Sequence, residues 1–313
     1  MRFKTIVAPI ALALLLVAGC KSAREANDRV VEFEVTADIR EFAGDRHPGR
    51  EYFAGVCEAI REEGPGEFMI SPGDIDPPQQ IKDTLEKHMG AHYTWYPVVG
   101  NHEAETPADM AWLRAWGSGD IPGLVRRGPE GSETTTFSFD RGPVHFVVLN
   151  QYFDGASDFK ARGDVVPALY DWLKNDLEQN RKPMVIVIGH EPILPLPDMD
   201  NGRLRHEKDS LNQNVESCRK FHELLIEKKV RVYLTAHTHN TSITNLNGVW
   251  QIDAGHARGK GDPGAPSTFL KFRADRKACT VRFYRQMAPG EPYRLTRTVE
   301  LTPQQSGRVV PGV

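Results

Sequence analysis

Cysteine is scarce in this chain: four residues in 313. Three of them, Cys57, Cys218 and Cys279, show no short paired spacing, which excludes a disulfide framework or a cysteine-built metal cluster. Their odd number points to buried thiols, with room for one disulfide at most. Long basic runs are also missing and the net charge is -3. A nucleic-acid-binding stripe needs clustered Lys and Arg, so no nucleic-acid partner is expected. No apolar run reaches the roughly 20 residues that a membrane-spanning helix needs, and no internal repeat is visible. Against these absences, 40% hydrophobic and 26% charged residues is ordinary globular composition, which excludes wholesale disorder. The length suits one large domain or two small ones.

The N-terminus carries its own message. Arg2 and Lys4 precede an apolar stretch over residues 6–18, which ends in Val17, Ala18, Gly19 and Cys20. A short positive segment, a short apolar core and small residues at the cut describe an export signal. A cysteine directly after small residues resembles the bacterial lipobox. Residues 1–19 are therefore read as a lipoprotein-type signal peptide, Cys20 as the lipidation site and residues 20–28 as a polar tether. The alternative is an ordinary cleaved signal in which Cys20 is incidental. On the preferred reading the protein lies in the bacterial cell envelope, attached to a membrane by lipid rather than by a span.

From residue 30 onward short apolar runs alternate with amphipathic stretches. Strands are expected over 30–36, 67–71, 96–99, 144–150, 184–189 and 231–235. Helices are expected over 49–63, 79–90, 107–116, 166–178 and 215–228. Beyond residue 241 the chain turns mostly to strands, including 248–253, 268–272 and 279–284. Alternation followed by a strand-rich end predicts a layered α/β domain with a second sheet packed on the first. Residues 29–302 are read as one domain and 303–313 as a disordered tail. Residues 117–133 and 195–209 read as long loops rich in Gly, Pro and charge, of the kind that is more often functional than idle. Within them the charged segment 203–208, like Trp112 and Trp116 nearby in sequence, reads first as solvated surface or helix packing and second as lining for a site.

The ends of the apolar strands repeat the same residue types. Asp38 follows the first strand, Gly73-Asp74 the second, and Gly100-Asn101-His102-Glu103 the third. Gly189-His190 and Ala236-His237-Thr238-His239 follow two later ones. In open α/β sheets ligands collect at the carboxyl ends of strands. Each residue alone is weak: Asp74 suits a turn, Asn101 a helix cap, and a lone His190 a satisfied core. Residues two apart in extended chain face one side, which pairs His237 with His239 and Asp38 with Arg40. Together, Asp38, Asp74, Asn101, His190, His237 and His239 offer carboxylate, amide and imidazole donors. Such a set suits manganese, iron or zinc. Four donors usually close a single zinc site, so six point to two ions sharing a carboxylate.

These ordered motifs resemble those of the calcineurin-like metallophosphoesterases. The resemblance runs from about residue 30 to 255. It implies two packed mixed β-sheets flanked by helices, an α/β/β/α sandwich, with a two-metal site. By that resemblance Asp74 bridges the ions, Asn101, His190 and His237 complete one position, and Asp38 and His239 contribute to the other. His102 would protonate the leaving oxygen. The chain departs from the family pattern twice. Arg40 stands where the first motif has histidine, and a guanidinium offers a metal no lone pair. Asp76 sits one place early for the second carboxylate of the Gly-Asp motif. The expectation is therefore two unequal metal positions, the second weak. Hydrolysis of a phosphate ester by metal-bound hydroxide is expected, with His102 as general acid and Arg40 gripping a phosphate oxygen. A single-metal protein that binds a phosphorylated ligand with little turnover is the alternative.

Overall fold

The computed structural model describes residues 29–158 and 162–303. Cys20, the signal peptide, the tether to residue 28 and the tail from 304 onward lie outside these residues. The described chain forms thirteen strands and six helices. In order these are β1 (Val31–Val35), α1 (Phe53–Glu62), β2 (Phe68–Ser71), α2 (Pro78–Met89), β3 (Thr94–Pro97), α3 (Asn101–Glu105), α4 (Pro107–Ser118), β4 (Leu124–Arg127), β5 (Phe137–Arg141), β6 (Val144–Val148), α5 (Pro167–Gln179), β7 (Met184–Ile188), α6 (Val215–Glu227), β8 (Val232–Thr235), β9 (Thr241–Leu246), β10 (Val249–Ala254), β11 (Ser267–Ala274), β12 (Cys279–Gln286) and β13 (Arg294–Glu300). No helix among the described residues is long and apolar enough to cross a membrane.

The strands make two mixed sheets, ordered β13-β12-β11-β1-β2-β3 and β4-β5-β6-β7-β8-β10-β9. Within the first sheet β1, β2 and β3 run parallel. In the second, β6, β7, β8 and β10 run parallel. Parallel strands are covered on both faces and so read as unbroken apolar runs. That explains why β6 and β7, buried at every position, stand out in the sequence. Aromatic rings lock the sheets face to face. Phe33 stacks with Phe68 and Phe272 of its own sheet at 5.1 and 4.8 Å, and meets Phe146 of the other sheet edge-on at 5.3 Å. Edge-on pairs of this kind contribute about 0.5–1.5 kcal/mol beyond the area they bury.

Three expectations need correcting. The stretch 117–133 is not all loop, because β4 lies in it and pairs antiparallel with β5 to end the seven-stranded sheet. Its Leu124 and Val125 are exposed, so no buried period marks it. The third strand ends at Pro97 rather than continuing to 99. Val98 and Val99 are apolar because they are buried at the start of the following turn, not because they extend the strand. The extended-chain pairing of His237 with His239, and of Asp38 with Arg40, also fails. All four residues have left-handed backbone, with φ of 72°, 57°, 46° and 53° respectively. They sit in tight turns beyond β8 and β1, where alternation no longer applies. Cys57, Cys218 and Cys279 are buried and free.

Candidate active site

Because β1, β2 and β3 run parallel, as do β7, β8 and β10, their carboxyl ends carry their turns to one rim. Contacts between the two sheets' turns close the site: His190 Nε2, after β7, lies 3.3 Å from Asp74 Oδ1, after β2. Two glycines make this approach possible. Gly73 has φ of 89°, and a Cβ there would fall 2.4 Å from His190 Nδ1. A Cβ on Gly100 would fall 2.3 Å from the Asp74 backbone nitrogen. Glu103, fully buried, ties the same two turns together. It accepts the N–H groups of Asp74 at 3.0 Å, Ile75 at 2.7 Å and Gly100 at 2.7 Å. Sequence reading quoted Glu103 as part of a motif but gave it no role.

Asp74, Asn101, His190 and His237 come together in a specific protonation pattern. His190 Nδ1 lies 2.7 Å from the Pro72 carbonyl, an acceptor, so the proton belongs on Nδ1 and Nε2 keeps its lone pair. His237 Nε2 lies 3.2 Å from the Asp209 carbonyl, which leaves His237 Nδ1 unprotonated by the same logic. Those two bare nitrogens are 3.3 Å apart. His190 Nε2 is also 3.2 Å from Asn101 Oδ1. Asp74 Oδ1, Asn101 Oδ1 and His237 Nδ1 thus all face the bare His190 Nε2, with no proton on the lines between them. Uncompensated, such a cluster is unfavourable; a cation on these atoms removes the repulsion. Burial lowers both histidines from their ordinary values, further for His237, so they are neutral as ligands must be. Asp74, though buried, accepts the His102 backbone N–H on Oδ1 at 3.2 Å, a bond that favours its ionised form. The residues present therefore fit a divalent metal.

The other half of the site is arranged differently. Asp38, Asp74 and His239 bring ligand atoms within 4.8 Å of one another. Both carboxylate oxygens of Asp38 are buried without a hydrogen-bond partner. Burial and the neighbouring Asp74 push the Asp38 carboxyl well above its usual range. His239 Nδ1 donates to Asp262 Oδ2 at 2.8 Å. Its Nε2 accepts from Arg258 Nη2 at 3.1 Å, while Arg258 Nε donates to the Asp38 carbonyl at 2.5 Å. Burial, joined by Arg258 and Arg205 against the opposing Asp262, pushes His239 down to about 2. Arg40 is elsewhere engaged: its Nε and Nη2 donate to the Asp76 carboxylate at 3.3 and 3.5 Å. The two departures from the family motifs are thus partners of each other.

His102 stands at the mouth, its side chain 30% exposed and its Nε2 3.7 Å from Asp74 Oδ2. The loop 195–209 also reaches the site. The His206 ring lies 4.2 Å from that of His237, and His206 Nδ1 is 2.8 Å from Asp209 Oδ2. The charged segment 203–208 therefore lines the site, whereas Trp112 packs on Trp95 and donates to Gln79. Arg258, Asp209 and Asp262 were not anticipated, and Arg205 and His206 only as part of the segment 203–208. Arg258 had a signal: it follows β10, another parallel strand whose carboxyl end meets this rim.

Turns at the carboxyl ends of parallel strands in two stacked sheets, carrying carboxylate, amide and imidazole donors, define a metal-dependent hydrolase of the phosphoesterase class. The sequence profile of the calcineurin-like phosphoesterases matches residues 42–241, and the chain belongs to that family. Two solved structures share the fold. One is PhoD, with a TM-score of 0.61 and 10% identity over 90% of this chain and 71% of that chain. The other is GAP50, the anchor in the inner membrane complex of Plasmodium, with a TM-score of 0.56 and 14% identity over 88% of this chain and 90% of that one. A search of curated protein sequences found no match. At such identities the likeness is one of fold.

Proposed function

We propose that this protein hydrolyses a phosphate ester at the site built on Asp74, Asn101, His190 and His237. The observation that carries the reading is the bare His190 Nε2, faced by lone pairs of Asp74, Asn101 and His237 with no proton to share. A divalent ion such as manganese, iron or zinc bound there would supply Lewis acidity toward phosphoryl oxygens and acidify water. The chain's own residues do the rest. His190 and His237 are held in one tautomer by the Pro72 and Asp209 carbonyls. Glu103 fixes the turns that carry Asp74 and Asn101. His102, partly exposed beside Asp74, is placed to give its proton to the departing oxygen. Arg40, held by Asp76 and still 28% exposed, is a second group that can meet a phosphate oxygen.

The substrate is a phosphorylated small molecule or other phosphoester, presented at the cell envelope, where acylated Cys20 would hold the protein to a membrane. The test is hydrolysis of an activated aryl phosphate by the purified protein before and after chelation. Activity is expected to vanish with the chelator and return with manganese. Undiminished turnover without metal would overturn the reading. Metal binding with no turnover on any phosphoester would favour a phospho-ligand-binding protein instead.

A further inference from the structure

We propose that Arg258 takes the place of the second metal: its guanidinium is the built-in cation of the Asp38–His239 half of the site, and the protein holds one resident ion. The proposal rests on the metal site assigned above to Asp74, Asn101, His190 and His237. It concerns what stands opposite that site.

Three observations carry it. The first is position. Arg258 is 6% exposed, and its Nη2 lies 3.1 Å from His239 Nε2. His239 Nδ1 lies 2.8 Å from Asp262 Oδ2 and 2.5 Å from Arg205 Nη1; with its proton directed to the carboxylate, Nε2 carries the lone pair. The lone pair a metal would use is already spent on an N–H. The second observation is anchorage. Arg258 Nε donates to the Asp38 carbonyl at 2.5 Å, and the guanidinium carbon lies 5.8 Å from the centre of the Phe42 ring, over its face. The side chain is gripped at its root and along its face, so it is not a surface arginine that has strayed inward. The third is charge. Asp38 and Asp74 place two carboxylates in the same buried space, and the Arg258 charge is set against both. The guanidinium makes no hydrogen bond to the Asp38 carboxylate oxygens; it offsets part of that charge through space, and permanently, because it stays protonated. Adding a dication beside a fixed positive charge in a buried space is unfavourable.

Arg40 does not play this part. It replaces the family's histidine, but its guanidinium is committed to Asp76. Losing that histidine removes a donor from the second position, and Arg258 fills the vacated role from a different strand end. A planar guanidinium with several N–H donors can also meet the oxygens of a phosphoryl group on the side away from the resident metal.

The test is metal stoichiometry in the full chain, stripped with chelator and then equilibrated with Mn²⁺ alone. We expect one tightly held equivalent and the six-line electron paramagnetic resonance spectrum of isolated Mn²⁺. Two tight equivalents with an exchange-coupled spectrum would overturn the proposal and leave the hydrolase reading intact. No bound manganese would instead overturn the metal site on which both rest. Arg258→Ala is expected to admit a second equivalent, and His239→Ala in that background to remove it again. Arg258→Gln, which keeps an N–H near the Asp38 carbonyl but carries no charge, serves if the alanine variant folds poorly. If well-folded Arg258→Ala or Arg258→Gln still binds only one equivalent, Arg258 is not what excludes the second ion and the proposal fails.

Discussion

His102 shows how a single residue separates chemistry from binding. Its ring is near Asp74 but outside the cluster of facing lone pairs, and its backbone N–H donates to Asp74 Oδ1 at 3.2 Å. His102→Asn is therefore expected to lower kcat by about 10²–10⁴, the usual consequence of losing a general acid. Bound manganese should be unchanged. A parallel loss of metal would make His102 a ligand. The effect should shrink on substrates whose leaving group departs without a proton. Arg40 carries the opposite lesson. Its type was legible and its surroundings were not, because Asp76 lies 36 positions away in the chain.

Among the elements, the short turns after β2 and β3 matter more than the strands that feed them. Strand ladders set where the turns begin, but Glu103 sets how they meet. Glu103→Ala would leave three buried N–H groups without an acceptor. At about 1–3 kcal/mol for each unsatisfied group, a loss of at least about 3 kcal/mol is expected in urea unfolding. A loss below 1 kcal/mol would mean that water or another group replaces the carboxylate. The α3 helix is part of the same device. It starts at Asn101, so the residue that caps the strand end also opens the helix bearing His102. Sequence periodicity found the long helices and most of the buried strands. It passed over β4, β5 and the five-residue α3, which are too short to show a clear period.

For the whole molecule, stability and location are the relevant properties. His145 lies buried between two carboxylates, with Nδ1 2.7 Å from Asp140 and Nε2 2.8 Å from Asp176. Burial alone would lower its pKa, but the two hydrogen-bonded carboxylates outweigh that and push it up to about 9. A histidine that holds its proton more tightly when folded stabilises the fold fully below its unfolded value near 6.5. That stability falls as pH rises and is lost once pH passes the folded value. The contribution is about 3 kcal/mol. Wild-type protein should lose stability between about pH 6.5 and 9 by more than His145→Gln does, as read by urea midpoints across that range. Equal slopes would show that the proton is not linked to folding. Cys20 is a proposal at the same scale. Cys20→Ser is expected to move the protein out of the membrane fraction or block its maturation, and normal membrane retention would contradict lipid attachment.

The sequence alone determined the class of fold and the six candidate ligands. Both are written in local chemistry: apolar runs for strands covered on two faces, and small residues before donors where the backbone must turn tightly. Which donors share an ion came only from the family resemblance, and which cation faces them could not be read from the sequence at all. Those are matters of distance between turns that lie far apart in the chain. His237 and His239, two residues apart, point to different halves of the site because left-handed backbone separates them. Asp38 and Arg258, 220 residues apart, are in contact because β1 and β10 end at the same rim. Only the packing of one sheet on the other brings those ends together.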